Sequence, residues 1–199
     1  MKKIFLITIS ILLAIALVGC STSNENATPK TAEDKNEEVN NIAVDSNDIL
    51  IAYYSYSGNT EKAAKEIQAQ TNGTLSEITR NENYPENYDE FTEIAEQEIL
   101  NEETPDITMS VEDIENYDVI FIGYPIWWNK APAMIRTLLT KYDFSGKTII
   151  PFCTSSSDGI ENSLEVFDLV KENANLKEGL RISNYEEILN WLQKNGIVE

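Results

Sequence analysis

Runs of apolar residues alternate with helix-like patterns along most of this chain. Three runs have the length of a strand and are continuously apolar, which is typical of strands covered on both faces. These runs are residues 49–54, 119–123 and 148–153, with weaker candidates at 75–78 and 180–182. Pro151 lies inside the third run and cannot donate a ladder hydrogen bond. We therefore expect it at a bulge or beside the short last strand.

The segments between the strands carry apolar residues at helical spacing. They lie at 60–70, 84–95, 134–139, 160–167 and 185–192, and Gly196 is suited to end the last helix. Alternating strands and helices predict a parallel sheet with right-handed crossovers and helices on both faces. The 152 residues from Asp48 onward fit one such α/β domain. We expect three α/β/α layers around a five-stranded parallel sheet in the order 2-1-3-4-5.

The first 20 residues resemble a bacterial lipoprotein signal peptide. Lys2 and Lys3 precede a mostly apolar stretch over residues 4–18, and Gly19 and Cys20 follow it. In such signals the cysteine becomes the lipidated N-terminus, so we expect lipidation at Cys20. The alternative is an uncleaved anchor, although the stretch is shorter than the roughly 20 residues of a transmembrane helix. Either alternative predicts an exported domain held at the bacterial membrane.

Residues 21–47 are predicted to be a disordered acidic tether. The segment is rich in Ser, Asn, Glu, Asp, Lys and Thr and contains no aromatic residue. It cannot bury enough apolar surface to offset the entropy of ordering. Its random-coil reach of roughly 30 Å would let the domain move near the membrane. The folded domain is therefore expected to comprise residues 48–199.

Charge and composition exclude several classes of function. From residue 48 onward the chain has 28 acidic and 11 basic residues, which argues against nucleic acid and favours a basic protein or a neutral small molecule. The alternative is that the acidity only keeps an exported protein soluble. The chain has no histidine, and a lipid on Cys20 leaves Cys153 alone in the domain. His-ligated metals, Ser–His or Cys–His catalysis and an internal disulfide are therefore not expected.

The sequence Ser-Tyr-Ser-Gly-Asn-Thr at residues 55–60 follows the first strand and opens the first helix. The free N–H groups of a helix's first turn and its macrodipole favour a phosphate there. Gly58 allows close approach of the backbone, and Ser55, Ser57 and Thr60 supply hydroxyl donors. No basic residue lies in the loop, so backbone dipoles must hold the anion. The alternative is a helix-capping turn that binds nothing.

Three loops are expected to meet at one edge of the predicted sheet. They comprise residues 55–60, 124–130 and 154–159, and the second contains Trp127 and Trp128. Adjacent indoles in a loop indicate an apolar surface that needs a cover. A phosphate site beside an aromatic surface suits flavin mononucleotide (FMN), a flat ligand with one phosphate. The alternative for the indoles is ordinary packing, which we expect of at least one of them, with its indole N–H bonded to a backbone carbonyl.

These motifs resemble the flavodoxin family over residues 49–194, and Gly-Tyr-Pro-Ile-Trp-Trp at 123–128 resembles its bacterial flavodoxin-like FMN proteins. The resemblance implies a flavodoxin-like fold and FMN, and we expect noncovalent binding because the sequence has no pattern of the kind used for covalent flavin attachment. It implies phosphate contacts from Ser55, Ser57, Gly58, Asn59 and Thr60. It implies that the isoalloxazine edge lies against Pro125, Ile126, Trp127 and Trp128. It implies that the other side of the ring is flanked by Thr154, Ser155, Ser156 and Gly159.

The third loop departs from the flavodoxin electron carriers. Residues 155–157 are serines, where those carriers usually place a tyrosine on the outer flavin face, and the open face resembles the related quinone reductases. No catalytic side chain is assigned, because Asp158 suits a turn aspartate that accepts backbone N–H bonds. We expect an electron carrier that serves a redox partner protein at the outer face of the cytoplasmic membrane. The alternatives are an FMN-dependent NAD(P)H:quinone-type oxidoreductase with a quinone-like acceptor, or a flavin-free tethered binding domain.

Overall fold

The computed structural model describes residues 48–199. The predicted signal peptide, its lipidation site Cys20 and the tether at 21–47 lie outside the described residues. Within the described range, every helix is too short or too polar to cross a membrane.

A mostly parallel sheet of seven strands forms the centre of the domain. Its strands are β1 Ile49–Tyr53, β2 Thr74–Arg80, β3 Ile107–Met109, β4 Val119–Pro125, β5 Thr148–Thr154, β6 Asn175–Leu176 and β7 Leu180–Arg181. The order across the sheet is β3-β2-β1-β4-β5-β6, and β7 pairs with β5 on the same side as β6. β3 is antiparallel to β2, and the other pairs are parallel.

The predicted α/β fold is confirmed, but the sheet is larger than five parallel strands. The predicted strands one to five correspond to β1, β2, β4, β5 and β7, and they follow the predicted order. Two short strands are additional, and one of them is antiparallel. β3 has three residues, and both residues of β6 are exposed. Neither contains an apolar run long enough to be recognised in the sequence.

Pro151 lies in β5 at the point where the neighbouring strand is interrupted. On that side, the carbonyl oxygens of Ile149 and Cys153 accept hydrogen bonds from Lys177 (2.9 Å) and Ile182 (2.8 Å). Because residues alternate along a strand, the nitrogen of Pro151 also faces that side, between β6 and β7. The missing donor therefore costs no ladder hydrogen bond. The prediction that Pro151 lies beside the short last strand is confirmed.

Helices pack on the sheet between these strands. They are α1 Asn59–Thr71, α2 Tyr88–Leu100, α3 Ala133–Lys141 and α4 Glu186–Lys194, with 3₁₀ helices at Ile114–Asn116 and Glu161–Leu169. One apolar core contains buried residues of α1 and α4, and the other contains buried residues of α3 and the longer 3₁₀ helix. Gly196 has a φ of 72° just beyond α4, so its predicted role as helix terminator is confirmed.

Two helical predictions differ from the structure. The segment around residues 160–167 forms a 3₁₀ helix, in which the N–H and the hydroxyl of Ser163 both donate to the carbonyl of Ile160 (3.0 and 2.6 Å). This pairing favours the tighter turn. The predicted stripe at 84–95 begins too early, because α2 starts only after Asn87. The Asn87 side chain accepts from Asp89 (3.0 Å) and Glu90 (3.1 Å) and thereby caps the helix.

Candidate cofactor site

The loop between β1 and α1 presents a row of free backbone donors. Within the described chain, the N–H groups of residues 57–60 donate to no protein atom. The next two N–H groups are satisfied: Glu61 donates to Ser55 Oγ (3.1 Å) and Lys62 donates to the carbonyl of Gly58 (3.1 Å). Unpaired N–H groups at a helix N-terminus carry partial positive charge. This loop therefore has the donor set that an anion requires.

Hydroxyl groups extend this donor set. Ser55 Oγ accepts from Glu61, and Ser57 Oγ accepts from the side-chain amide of Asn59 (3.2 Å). Both serine hydroxyls use an oxygen lone pair in these bonds, so both protons stay available for an anion. The exposed Lys62 and Lys65 lie on the surface of α1, where Lys65 pairs with Glu61 (2.5 Å). An anion at this loop would be held by dipoles rather than by a basic side chain.

Gly58 makes the loop conformation possible. It has a φ of 81°, a left-handed conformation that L side chains rarely adopt, and it is the cap of α1. A Cβ atom at this position would have no neighbour within 4 Å, so the space above the glycine is open. The constraint on Gly58 is therefore conformational and not steric within the protein. A ligand phosphate can approach the backbone without contacting a side chain.

The three predicted loops do converge, and Thr154 is the residue that joins them. Its hydroxyl is hydrogen-bonded to the hydroxyl of Thr60 in the first loop (2.9 Å). Its carbonyl accepts from the N–H of Ile126 in the second loop (3.0 Å). Pro125 ends β4 opposite Thr154 in the β4–β5 ladder. The carboxyl ends of β1, β4 and β5 thus form one continuous edge.

The third loop is a tight polar turn organised by Ser155. Its hydroxyl oxygen accepts from the N–H groups of Ser157 (3.3 Å) and Asp158 (2.9 Å). Asp158 was expected to accept backbone N–H bonds, and this expectation is wrong because the serine oxygen takes that role. The Asp158 carboxylate accepts from Ser157 Oγ instead (3.3 Å). Ser156 and Gly159 are exposed in the same turn and face solvent.

Arg181 is a site residue that the sequence did not reveal. Arg181 lies on β7, and its guanidinium donates to the carbonyl of Ser155 (3.3 Å). This bond fixes the third loop to β7. Arg181 also lies near the buried thiol of Cys153. Burial raises the pKa of this thiol to about 12, although the positive charge of Arg181 opposes the shift. The thiol therefore stays protonated and is a poor nucleophile. No signal in the sequence links Arg181 to a backbone carbonyl 26 residues earlier.

The second loop turns sharply after β4. Trp127 and Lys130 exchange backbone hydrogen bonds (3.0 and 2.8 Å), and the two residues between them, Trp128 and Asn129, have φ angles of 46° and 62°. Two successive positive φ angles define a type I′ turn, which usually contains Asn and Gly. Asparagine tolerates this conformation, whereas a tryptophan rarely adopts it. The turn sends the two neighbouring indoles in different directions.

Trp127 is part of an aromatic cluster that the sequence did not predict. Its ring makes edge-to-face contacts with four others, at centroid distances between 5.3 and 5.9 Å. These rings belong to Tyr54, Tyr56, Tyr84 and Phe91, and we call the five residues the aromatic cluster. Tyr56 also stacks on Phe91 (4.4 Å, 8° between planes) and is 48% exposed. The cluster joins the first loop, the second loop and α2.

A buried ion pair between Glu98 and Arg80 supports the aromatic cluster through Tyr84. Glu98 on α2 accepts from Arg80 Nη2 (2.7 Å) and Nε (3.2 Å) and also from the phenol of Tyr84. Burial, strengthened by the bond to Glu98, raises the pKa of Tyr84 well above its usual range. Arg80 also lies 4.7 Å from the centre of the Tyr84 ring. The buried charges are thus paired with each other and with the phenol, as buried charges require.

Trp128 points away from the aromatic cluster and towards a second feature. It lines an open groove of about 540 Å³ between the end of α2, the start of α3 and the longer 3₁₀ helix, which we call the α2–3₁₀ groove. Neither Trp127 nor Trp128 donates its indole N–H to a backbone carbonyl, so that part of the packing alternative is wrong. Among residues 48–199, the indole that donates to a carbonyl is Trp191, to Glu178 (2.8 Å). The two neighbouring indoles therefore do not form one common surface.

The residues present fit a nucleotide with one phosphate and a flat ring. The first loop supplies unpaired N–H and O–H donors for the phosphate. The Thr60–Thr154 and Thr154–Ile126 bonds place the other two loops directly beside it. In the part of the chain that the structure describes, no group of three metal-ligating side chains is present.

Comparison with known proteins agrees with this geometry. A family model described as Flavodoxin matches residues 48–195. A presumed flavoprotein from Bacteroides eggerthii is 35% identical, with a TM-score of 0.66, and the match covers 73% of this chain and 96% of that one. A Lactobacillus acidophilus flavoprotein solved in complex with FMN is 27% identical, with a TM-score of 0.61, covering 73% and 98%. No curated protein matches.

The fold and its polar strand edge define a flavodoxin-like α/β domain. The chain belongs to the flavodoxin family. Its solved relatives consist almost entirely of the region that they share with this chain, since the match covers more than nine-tenths of each.

Proposed function

We propose that residues 48–199 bind FMN noncovalently and that the protein is an electron carrier. One observation carries the proposal: four consecutive backbone N–H groups at the start of α1 have no acceptor among the described residues. Such a row of donors at a helix N-terminus matches the oxygens of a phosphate. The FMN-bound Lactobacillus relative, which has the same fold, supports the choice of nucleotide.

Each loop has a distinct task in this proposal. The N–H groups of residues 57–60, together with the hydroxyls of Ser55 and Ser57, hold the phosphate. Thr60 and Thr154 fix the first loop against the third. The second loop, from Pro125 to Trp128, borders the ring system. When bound, FMN supplies the electron transfer, and the protein supplies position and electrostatics.

The charge of the domain bears on the direction of the chemistry. An excess of carboxylates disfavours a gain of negative charge in the site by Coulomb repulsion. The domain is therefore suited to release electrons to a partner. The third loop has no aromatic side chain to cover a bound ring, because residues 155–157 are serines. The uncovered ring face leaves room for a quinone-like acceptor. An oxidoreductase that acts on such an acceptor is therefore the second candidate function.

An absorption spectrum and a titration test the proposal. We expect the purified full-length protein to be yellow, or to quench FMN fluorescence stoichiometrically after flavin removal. A colourless protein that leaves FMN fluorescence unchanged would support the flavin-free binding domain instead. Anaerobic titration with dithionite then separates the two redox functions. A carrier should be reduced in two resolved one-electron steps, whereas rapid turnover of a benzoquinone with NADPH would identify the oxidoreductase.

We further propose that the domain works outside the cytoplasm, attached through a lipid on Cys20. The proposal rests on the signal-like sequence of residues 1–20 and on the polar composition of 21–47. Labelled palmitate should be incorporated into the native protein and not into Cys20→Ala, and added protease should degrade the domain in intact spheroplasts. Resistance to protease in intact spheroplasts, followed by degradation once they are lysed, would contradict an extracytoplasmic location.

A further inference from the structure

The α2–3₁₀ groove gathers exposed apolar side chains at one place. Leu100 is 66% exposed, Leu169 is 44% exposed and Trp128 is 43% exposed, and all three line the groove. Single exposed apolar residues are normal on a protein surface, but a concave group of large ones is typical of an interaction site. This groove is separate from the first loop and from the phosphate donors described above.

Trp128 combines two unfavourable features at this groove. Its φ of 46° is a left-handed conformation that is unfavourable for a residue with a side chain. Its indole is also exposed instead of joining the aromatic cluster beside it. The protein's own packing gains little from this arrangement. An indole presented in this way is available to a partner, and tryptophan is enriched among the residues that dominate binding.

The groove is acidic, and its positive charges are already paired. Its carboxylates are Glu96, Glu98, Glu102, Glu103, Glu165 and Asp168. The two basic residues that line it are Lys130, which pairs with Glu165, and Arg136, which pairs with Glu102 (2.5 Å). Glu98 is buried and pairs with Arg80, and Asp168 pairs with Lys171 (2.9 Å). Glu96 and Glu103 are therefore the lining carboxylates without an ion-pair partner among the described residues. An incoming surface meets these two negative charges beside an apolar centre, on a domain with 28 acidic and 11 basic residues.

We propose that the α2–3₁₀ groove is the docking site for the basic face of a protein partner. The partner would insert an apolar side chain among Leu100, Trp128 and Leu169 and place lysines or arginines against Glu96 and Glu103. Charge selects this occupant over the others. A second copy of the domain and an anionic membrane surface are both negatively charged, and like charges brought together are unfavourable. The negative charge of the domain also attracts a basic surface over a distance and so speeds its association.

The position of the groove gives the docking a function. Trp128 is the end of the segment 125–128 that borders the proposed flavin, so a partner on the groove would contact the same loop. This role in electron transfer rests on the proposed function, whereas the docking itself does not require FMN. The binding experiment is therefore run on both the flavin-free and the FMN-loaded protein.

Synthetic peptides provide the probe. Two helical peptides of about 14 residues carry the same leucine face, with lysine at every polar position in one and glutamate in the other. A lysine oligomer of equal charge without leucine controls for non-specific attraction. Binding of fluorescent peptide to the full-length protein is measured by anisotropy at about 0.15 M salt, where the Debye length is about 8 Å. We expect the leucine–lysine peptide to bind and the other two to bind much more weakly.

Matched variants locate the binding. Leu100→Ser with Leu169→Ser should weaken the leucine–lysine peptide about tenfold or more, because the apolar anchor loses its contacts. The control is Tyr185→Ser with Leu189→Ser, since these residues of α4 and the turn before it are 45% and 43% exposed and lie outside the groove. Glu96→Gln with Glu103→Gln should also weaken binding, whereas Glu186→Gln with Glu187→Gln should not.

Each outcome of these binding experiments either supports or overturns the docking proposal. Equal weakening by the two serine pairs, or equal binding of the lysine oligomer, would overturn the proposal in favour of general electrostatic attraction. Equal binding of the glutamate peptide would overturn the choice of a basic partner. Sedimentation showing that the groove leucines hold a dimer together would identify a second copy as the occupant and also overturn it. Peptide binding that is retained while FMN fails to bind would leave the docking site standing and reject only the electron-carrier role.

Discussion

The loops after β1 and β4 lie side by side at one edge of the sheet, yet they use their backbone donors in opposite ways. After β1, the N–H groups of residues 57–60 have no acceptor within the described domain. After β4, Ile126 donates to Thr154, and Trp127 and Lys130 exchange bonds. The first loop leaves a row of donors for an anion, whereas the second uses the N–H groups of Ile126, Trp127 and Lys130 within the protein. We therefore expect the phosphate affinity to depend on the first loop and the ring affinity on the second.

The largest expected effect concerns the support of the second loop. Glu98→Ala leaves Arg80 without its buried partner, so unfolding should become easier by about 3–5 kcal/mol. Chemical denaturation of the two proteins measures the difference. The control is Glu178→Ala, which removes an exposed pair with Lys194 (2.6 Å) and should change stability by less than about 1 kcal/mol. Similar losses in both variants would show that the aromatic cluster does not depend on this ion pair.

The next effect separates the phosphate from the ring. Gly58→Val forces a β-branched residue to a φ of 81° and closes the space above the backbone, so FMN should bind about 100-fold more weakly, which is about 2.7 kcal/mol. Riboflavin has the same ring and no phosphate, so its dissociation constant should change little. Fluorescence titration with both flavins measures the loss of preference for FMN.

Gly146→Val is the matched control for this variant. Gly146 has a φ of 76°, and a Cβ atom there would also have no neighbour within 4 Å, but it precedes β5 at the opposite edge of the sheet. The backbone strain of the two substitutions is therefore similar. Gly146→Val should destabilise the protein to a similar extent and keep its affinity for FMN. Equal loss of FMN binding in both variants would mean that strain, and not phosphate contact, explains the effect of Gly58→Val.

The converse variant tests the second loop. Trp127→Leu removes the ring that contacts all other members of the aromatic cluster, and FMN and riboflavin should both bind about tenfold more weakly. The ratio of the two dissociation constants should stay the same, in contrast to Gly58→Val. A selective loss of FMN would show that the two loops do not divide the ligand as their hydrogen bonds indicate.

The sequence predicted the first loop better than the second for a physical reason. A glycine and short hydroxyl residues at the start of a helix act through local geometry, so the donor row at 57–60 follows from neighbouring residues alone. The strands were also predictable, because β1, β4 and β5 are buried on both faces and therefore continuously apolar. The short strands β3 and β6 lack that property and were missed.

The second loop depends on tertiary contacts that no local pattern contains. Trp127 and Trp128 are adjacent in sequence, and only the type I′ turn sends one into the aromatic cluster and the other to the groove. Tyr84 and Phe91 fit one helical stripe in the sequence, although Tyr84 lies before α2. Its position depends on Glu98, a residue that hydropathy alone would place on the surface.

The smallest expected effect tests the junction of the loops. Thr154→Val removes the hydroxyl that bonds to Thr60 while keeping the shape of the side chain, and a hydrogen bond of this kind contributes about 1 kcal/mol. FMN and riboflavin should differ in their response, because the bond orients the helix start that holds the phosphate. We expect FMN to bind about fivefold more weakly and riboflavin to be nearly unaffected. Thr154→Ser keeps the hydroxyl and should restore FMN affinity. If serine fails where threonine succeeds, the methyl group and not the hydrogen bond fixes the first loop against the third.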